Sequence, residues 1–142
     1  MVENMKFTVQ HTLGKEGLWN LFTSNEFICK WLAFESDINW KKNGKVRFTI
    51  TPGIHEVKSC KITEFNPFDT LIFTWMGPEE FDITMNFKEY LTYVKVTFQD
   101  TALSLEHEGW RSSEDWQEAK EWHENAFWPE KIAVLTKVLQ DL

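Results

Sequence analysis

"LSLEHEGW", Leu103–Trp110, decides how this chain is read. As a strand it sends successive side chains to opposite faces. Leu103, Leu105 and His107 then share one face, and Ser104, Glu106 and Glu108 the other. The leucines mark the buried face, so an ionisable ring sits on the dry side just before Gly109 and Trp110 end the strand. "TYVKVTFQ" upstream alternates in the same way, with Val94, Val96 and Phe98 inward, and the "DT" turn makes the two a hairpin.

Earlier strands follow the same rule. "MKFTVQHT" puts Phe7 and Val9 on one side, "FESDINW" puts Phe34, Ile38 and Trp40 on one face, and "KVRFTITP" does so with Val46, Phe48 and Ile50. "KKNG" and "NPFD" are turns, Pro67 presetting the second. "IHEVKSCKITEF" loses phase between Val57 and Ile62, the signature of a bulge. "TLIFTW" is almost wholly apolar and predicts a strand covered on both faces. Gly77–Leu91 follows neither period and is left open between loop and irregular strand.

Two short helices follow the first strand. Leu18, Leu21 and Phe22 mark one, and Phe27, Ile28, Trp31 and Leu32 the other, with Asn25 able to cap. Helical spacing returns near Glu114, where Ser112 or Ser113 can cap, and Pro129 predicts a kink or break between segments 114–127 and 129–139. Ile132, Leu135, Thr136 and Leu139 form the apolar stripe of the second segment. About six strands joined by short turns form an antiparallel sheet. Its apolar face needs a cover, and the C-terminal helix is the element long enough. The class is α+β, with a strongly curved sheet of about six to seven strands gripping that helix in one domain spanning 1–142.

Composition narrows the function. The chain has 142 residues and a net charge of −7, with no long basic run. Nucleic acid and membrane surfaces call for clustered Lys and Arg, so neither is an expected partner. Glu3, Glu16 and the rest of the acidic exterior fit solubility and a basic protein partner. Cys29 and Cys60 read as small buried hydrophobes of a reducing compartment. There is no signal pattern and no apolar run of the ~18 residues that span a bilayer, so the expected location is cytoplasmic.

No chemistry-bearing motif stands out. "HEGW" and "HENA" lack the second histidine of a zinc helix, so no metal is expected. No G-x-S-x-G or glycine-rich phosphate loop occurs, so no catalytic residue and no cofactor are assigned. His55 reads best as a loop-end surface residue, with a second cavity group as the alternative. His123 reads as a helix-face residue. His107 has two readings: a structural histidine bonded to a carbonyl or side chain, or the polar contact of a ligand chamber.

The aromatic content is high, with 8 Trp and 12 Phe. These side chains make a core, or the walls of a hollow within one. Trp31, Phe34, Trp40, Phe48, Trp75, Trp110, Trp122, Phe127 and Trp128 are the wall candidates.

The ordered segments Leu18–Trp19, Trp31, "NPFDTLIFTW" (66–75), "TALSLEHEGW" (101–110) and "FWPEKIAVLTKVL" (127–139) resemble the START-like superfamily, also called SRPBCC. The resemblance is nearest to the bacterial branch named after the activator of the heat-shock-protein-90 ATPase. Phe127 stands where that branch usually has glycine, and Gly77–Leu91 does not align. The resemblance implies a helix-grip fold and a cavity between sheet and terminal helix that holds apolar small molecules. The leading expectation is therefore non-enzymatic binding of an apolar or aromatic molecule by Trp31, Phe34, Trp40, Phe48, Trp75, His107, Trp122 and Phe127, a tyrosine or threonine helping His107 orient it. A protein-interaction module regulating a chaperone ATPase, with a chaperone or homodimer partner, is the alternative. A cyclase- or hydrolase-like enzyme is the second alternative and needs acid–base groups in the cavity.

Overall fold

The computed structural model describes residues 5–142, so Glu3 lies outside the described residues. Strand β1 (Met5–Gln10) is followed by helices α1 (Gly14–Phe22) and α2 (Asn25–Trp31). Then come β2 (Glu35–Ile38), β3 (Lys45–Thr51), β4 (His55–Asn66) and β5 (Thr70–Trp75). A short helix α3 (Asp82–Met85), flanked by the 3-10 turns Glu79–Phe81 and Lys88–Tyr90, leads to β6 (Thr92–Phe98) and β7 (Ala102–Glu108). Helix α4 (Glu114–Trp122), a π-helical turn (His123–Phe127) and α5 (Trp128–Gln140) complete the chain.

The seven strands form one antiparallel sheet in the order β1-β7-β6-β5-β4-β3-β2. Curvature enters through β4. Val46 pairs with Cys60 but Phe48 with Val57, so Lys58 and Ser59 together oppose Arg47, and Ser59 takes φ 60°. This is the expected bulge, and the extra residue bends the strand. A second register shift lies between Ile62 and Glu64. The concave face buries Met5, Val9, Val94, Val96, Phe98, Leu103, Leu105 and His107, in the parity the sequence dictates. Helix α1 is anchored there by Trp19, whose ring lies 4.9 Å from Phe98 and 5.1 Å from Phe65.

Several expectations are corrected. β5 is not covered on both faces: Leu71, Phe73 and Trp75 are buried while Thr70, Ile72 and Thr74 stay half-buried. Ser24, not Asn25, caps α2 by accepting the Phe27 N–H at 3.1 Å. The Asn25 side chain instead accepts the Ile38 N–H at 2.8 Å and donates to the Ile38 carbonyl, tying α2 to the edge strand β2. Cys29 is exposed; Cys60 is buried, and burial pushes its thiol up to about 11.

Pro129 does not break the terminal helix. The π turn His123–Phe127 ends one residue before the first turn of α5, where the proline sits. The Trp128 N–H reaches back to the His123 carbonyl, five residues away. The wider turn leaves room for the ring that would strike a carbonyl in a regular α-helix. The rod therefore runs on, packing α5 on α2 and β1 through Trp128, Leu135 and Leu139. No helix among the described residues is long and apolar enough to cross a membrane.

Candidate functional site

Where the rod begins to cross the sheet, three histidines meet a shell of tryptophans. His107 is the penultimate residue of β7, His55 opens β4 and His123 opens the π turn. All three are buried, at 0%, 2% and 0% exposure. The His107 and His123 ring centroids are 5.1 Å apart, and those of His55 and His123 are 6.4 Å apart.

Each ring is fixed by its partners. Trp128 donates its indole N–H to His107 Nδ1 at 2.9 Å, so the proton of that ring is on Nε2 and is donated to Thr92 Oγ1 at 2.8 Å. Trp75 donates to His123 Nε2 at 3.1 Å, which puts the His123 proton on Nδ1, donated to the Ala119 carbonyl at 2.8 Å. His55 Nε2 donates to the Met76 carbonyl at 2.8 Å. An indole can only donate, so His107 and His123 must keep a lone pair where it points.

Electrostatics agrees with geometry. Burial pulls His123 down to about 3 and His55 to about 4, with Lys131 adding to the fall at His55. His107, beside His123 and His55 and fully buried, is held well below the ordinary imidazole range. No carboxylate bonds to any of the three rings among the described residues. The cluster is thus a set of neutral, mutually fitted rings. It lacks the imidazole–carboxylate pair a general base would use.

The expected wall residues divide into three places. Trp75, His107, Trp122 and Phe127 belong to this cluster; Trp75 lies 5.7 Å from His107 and 5.6 Å from Phe127. Trp31, Trp40 and Phe48 line a separate apolar void between the α1–α2 pair and the sheet, with Phe48 linking the two regions 5.6 Å from Trp75. That void measures about 10 Å³, room for about one water. Phe34 is 67% exposed and lies in neither place; it lines an open groove beside β2 with Cys29, Asp37 and Arg47. Between sheet and terminal helix, where the chamber was expected, both ring nitrogens of His107 are bonded to protein partners, Trp128 and Thr92. Aromatic rings of helix and sheet meet there, Trp75 lying 5.2 Å from Trp128.

His55 was expected at the surface, with a cavity position as the alternative, and His123 on a helix face; both are buried. The signal for His123 is its spacing: Trp116, Ala119 and His123 fall at i, i+3 and i+7, one helix face. His55 is in phase with Val57, which is buried.

Two indole N–H groups, of Trp31 and Trp40, have no acceptor among the described residues. Open concavity lies at the surface, in the groove beside β2, about 520 Å³, and at the rim. A groove of about 260 Å³ runs between the β3–β4 turn and the α4–α5 junction, lined by Ile50, Ile54, His55, Pro78, Trp122 and Phe127 among others. Trp122 and Phe127 stack at 5.4 Å and 28°, so the groove has a flat aromatic wall.

The profile of the family described as Activator of Hsp90 ATPase homolog 1-like protein matches residues 14–140. No curated protein matches the sequence. Among solved structures, a Mesorhizobium loti protein aligns with TM-score 0.76 at 19% identity, over 98% of each chain. An HSP90 activator from Plasmodium falciparum aligns with TM-score 0.69 at 17% identity, over 98% of this chain and 97% of that one. The Aha1 dimer from Colwellia psychrerythraea gives TM-score 0.66 at 18% identity, over 97% and 96%. At such identities the likeness is one of fold.

Proposed function

The chain belongs to the Activator of Hsp90 ATPase homolog 1-like protein family, and from that premise we propose that it is a non-enzymatic protein-interaction module of the chaperone-regulator kind. One observation carries the choice over the small-molecule reading. The interior void is about 10 Å³, whereas the larger concavities, of about 520 Å³ beside β2 and about 260 Å³ at the rim, are open surface grooves lined by apolar and charged side chains together. Ligand chambers usually enclose ~300–1,000 Å³ and bury most of the ligand, which an open groove does not. Exposed apolar surface with a filled core is what a protein partner covers. Relatives named as an HSP90 activator and as an Aha1 dimer support a protein partner of this class.

The test is the ATPase rate of a purified heat-shock-protein-90-class chaperone titrated with this protein. The expected result is a saturable rise in turnover. A rate unchanged at high excess, with no complex in sedimentation velocity, overturns the proposal.

A second reading keeps the apolar or aromatic small molecule and moves it to the rim. It is supported by Trp122, Phe127 and His55 sharing one groove wall. Native mass spectrometry of freshly purified protein decides it: a copurifying small molecule lost on substitution of Trp122 supports this reading, and bare protein from several hosts removes it.

A further inference from the structure

The chemistry of the partner can be read from the rim groove, if the protein-interaction reading on which this rests is accepted. The floor is apolar: Ile50, Ile54, Pro78, Trp122 and Phe127. Ile54 is 54% exposed and also borders a second hollow of about 120 Å³, whose floor includes Met76 and Gly77. The Ile54 carbonyl accepts the Glu79 N–H at 2.8 Å, which binds the β3–β4 turn to the segment carrying the second hollow. The second hollow is mainly polar, lined by Glu56, Lys58, Glu79 and Asp82, so an apolar-floored depression and a charged one adjoin at Ile54 and fit neighbouring apolar and basic side chains of one segment.

The rim is acidic. Around both hollows stand Glu56, Glu79, Glu80, Asp82 and Glu130, against Lys58 and Lys131. None of the five carboxylates makes an ion pair among the described residues, whose ion pairs are Lys15–Asp69 and Lys120–Glu124. Lys131 lies over the Phe127 ring at 5.7 Å. A second copy of the chain would bring the same acidic rim against this one, and like charges facing each other oppose association. We propose that this double groove docks a short amphipathic segment of a partner protein, its apolar side chains on the Trp122–Phe127 wall and its flanking Lys or Arg in the polar hollow and on the acidic rim.

The test uses a fluorescein-labelled peptide of Leu and Lys in helical repeat, a twin with Glu in place of Lys, and fluorescence anisotropy. The Leu–Lys peptide is expected to bind the wild type and the twin not to. E79K/E80K is expected to weaken binding about tenfold, the size set by two reversed rim charges. E16K/E26K makes the same change in net charge on exposed positions of α1 and α2, and is expected to leave affinity within about twofold. I54D, at an exposed position that spares the core, is expected to abolish binding.

Equal weakening by both double variants overturns the assignment, because attraction is then to net charge alone. So does binding of the twin as tight as that of the Leu–Lys peptide. A concentration-dependent dimer lost in I54D overturns it in favour of a second copy. Displacement of anilinonaphthalene sulfonate from the groove without peptide binding overturns it in favour of a small molecule. If E79K/E80K and I54D still stimulate the chaperone ATPase as the wild type does, this docking surface falls while the interaction-module reading stands.

Discussion

The indole N–H of Trp128 meets His107 Nδ1 at 2.9 Å, joining the first residue of α5 to the last strand of the sheet. A few residues earlier in the rod, His123 receives the N–H of Trp75 at 3.1 Å. One bond runs from helix to sheet and the other from sheet to helix. Each is buried, and each makes the position of the terminal rod depend on a histidine being neutral.

Trp128→Phe tests the first bond. The variant keeps an aromatic ring but leaves His107 Nδ1 without its donor in a fully buried site. A buried acceptor stranded in this way costs about 1–3 kcal/mol, and the lost ring area adds to it. Urea denaturation is expected to show a loss of about 2–4 kcal/mol with little change in the denaturant slope. A loss below about 0.5 kcal/mol would mean that the bond is not part of the folded state.

Acid is the second lever. In the unfolded chain the three histidines titrate near 6.5; in the fold His55 waits until about 4, His123 until about 3, and His107 is also lowered. Between those values the unfolded state binds more protons, so stability falls as pH drops. A pH unit or more above 6.5 these groups contribute almost no slope. Below pH 6.5 the loss from His55 and from His123 is each expected to steepen toward about 1.4 kcal/mol per pH unit near pH 5, and His107 adds to it in the same direction. His123→Gln keeps an acceptor for Trp75 without titrating, and is expected to reduce the slope by one proton. Denaturation curves across this range that share one midpoint in wild type and variant would contradict it.

Trp31 and Trp75 make a controlled comparison. Both are buried tryptophans, but Trp75 donates to His123 and Trp31 has no acceptor. Trp75→Phe leaves a buried imidazole nitrogen unpaired and is expected to cost about 3 kcal/mol. Trp31→Phe removes an unsatisfied donor, which offsets part of its lost area, and is expected to cost about 1 kcal/mol or less. Equal costs in urea denaturation would show that the orphaned N–H carries no penalty.

Gly44 tests the β2–β3 turn. A Cβ there would come within 1.8 Å of the Asn39 carbonyl oxygen and 2.8 Å of that of Lys41, both backbone atoms. Gly44→Ala must therefore move the turn, and a loss of about 2 kcal/mol or more is expected in thermal or chemical denaturation. Gly17→Ala meets only the Leu13 Cβ at 3.6 Å and serves as the tolerated control.

Sheet and rod were legible because period-two and helical spacing are direct projections of burial. Val94, Val96, Phe98, Leu103 and Leu105 announce one face, and the phase slip after Val57 announces the bulge. Pro129 misled because a π turn depends on neighbours rather than on the proline, and spacing cannot show it. Phe34 misled because alternation gives the face of a strand but not where its cover ends. β2 is an edge strand, and Phe34 lies before its first residue, beyond the packed α2 contact. The filled interior was not legible, since aromatic count fixes how much ring area is available and not whether the rings interlock. The docking groove was missed for a related reason: Ile54, Glu80 and Trp122 come from three segments that only the folded chain brings together.

The most direct test of a module that acts from its surface is the turnover of a heat-shock-protein-90-class ATPase, titrated in parallel with wild-type protein and with the I54D variant. A saturable stimulation by the wild type that I54D lacks, both proteins giving the same near-ultraviolet circular dichroism, is the expected result. Turnover left flat by the wild type at saturating excess, alongside a small molecule copurifying in stoichiometric amount, would contradict it.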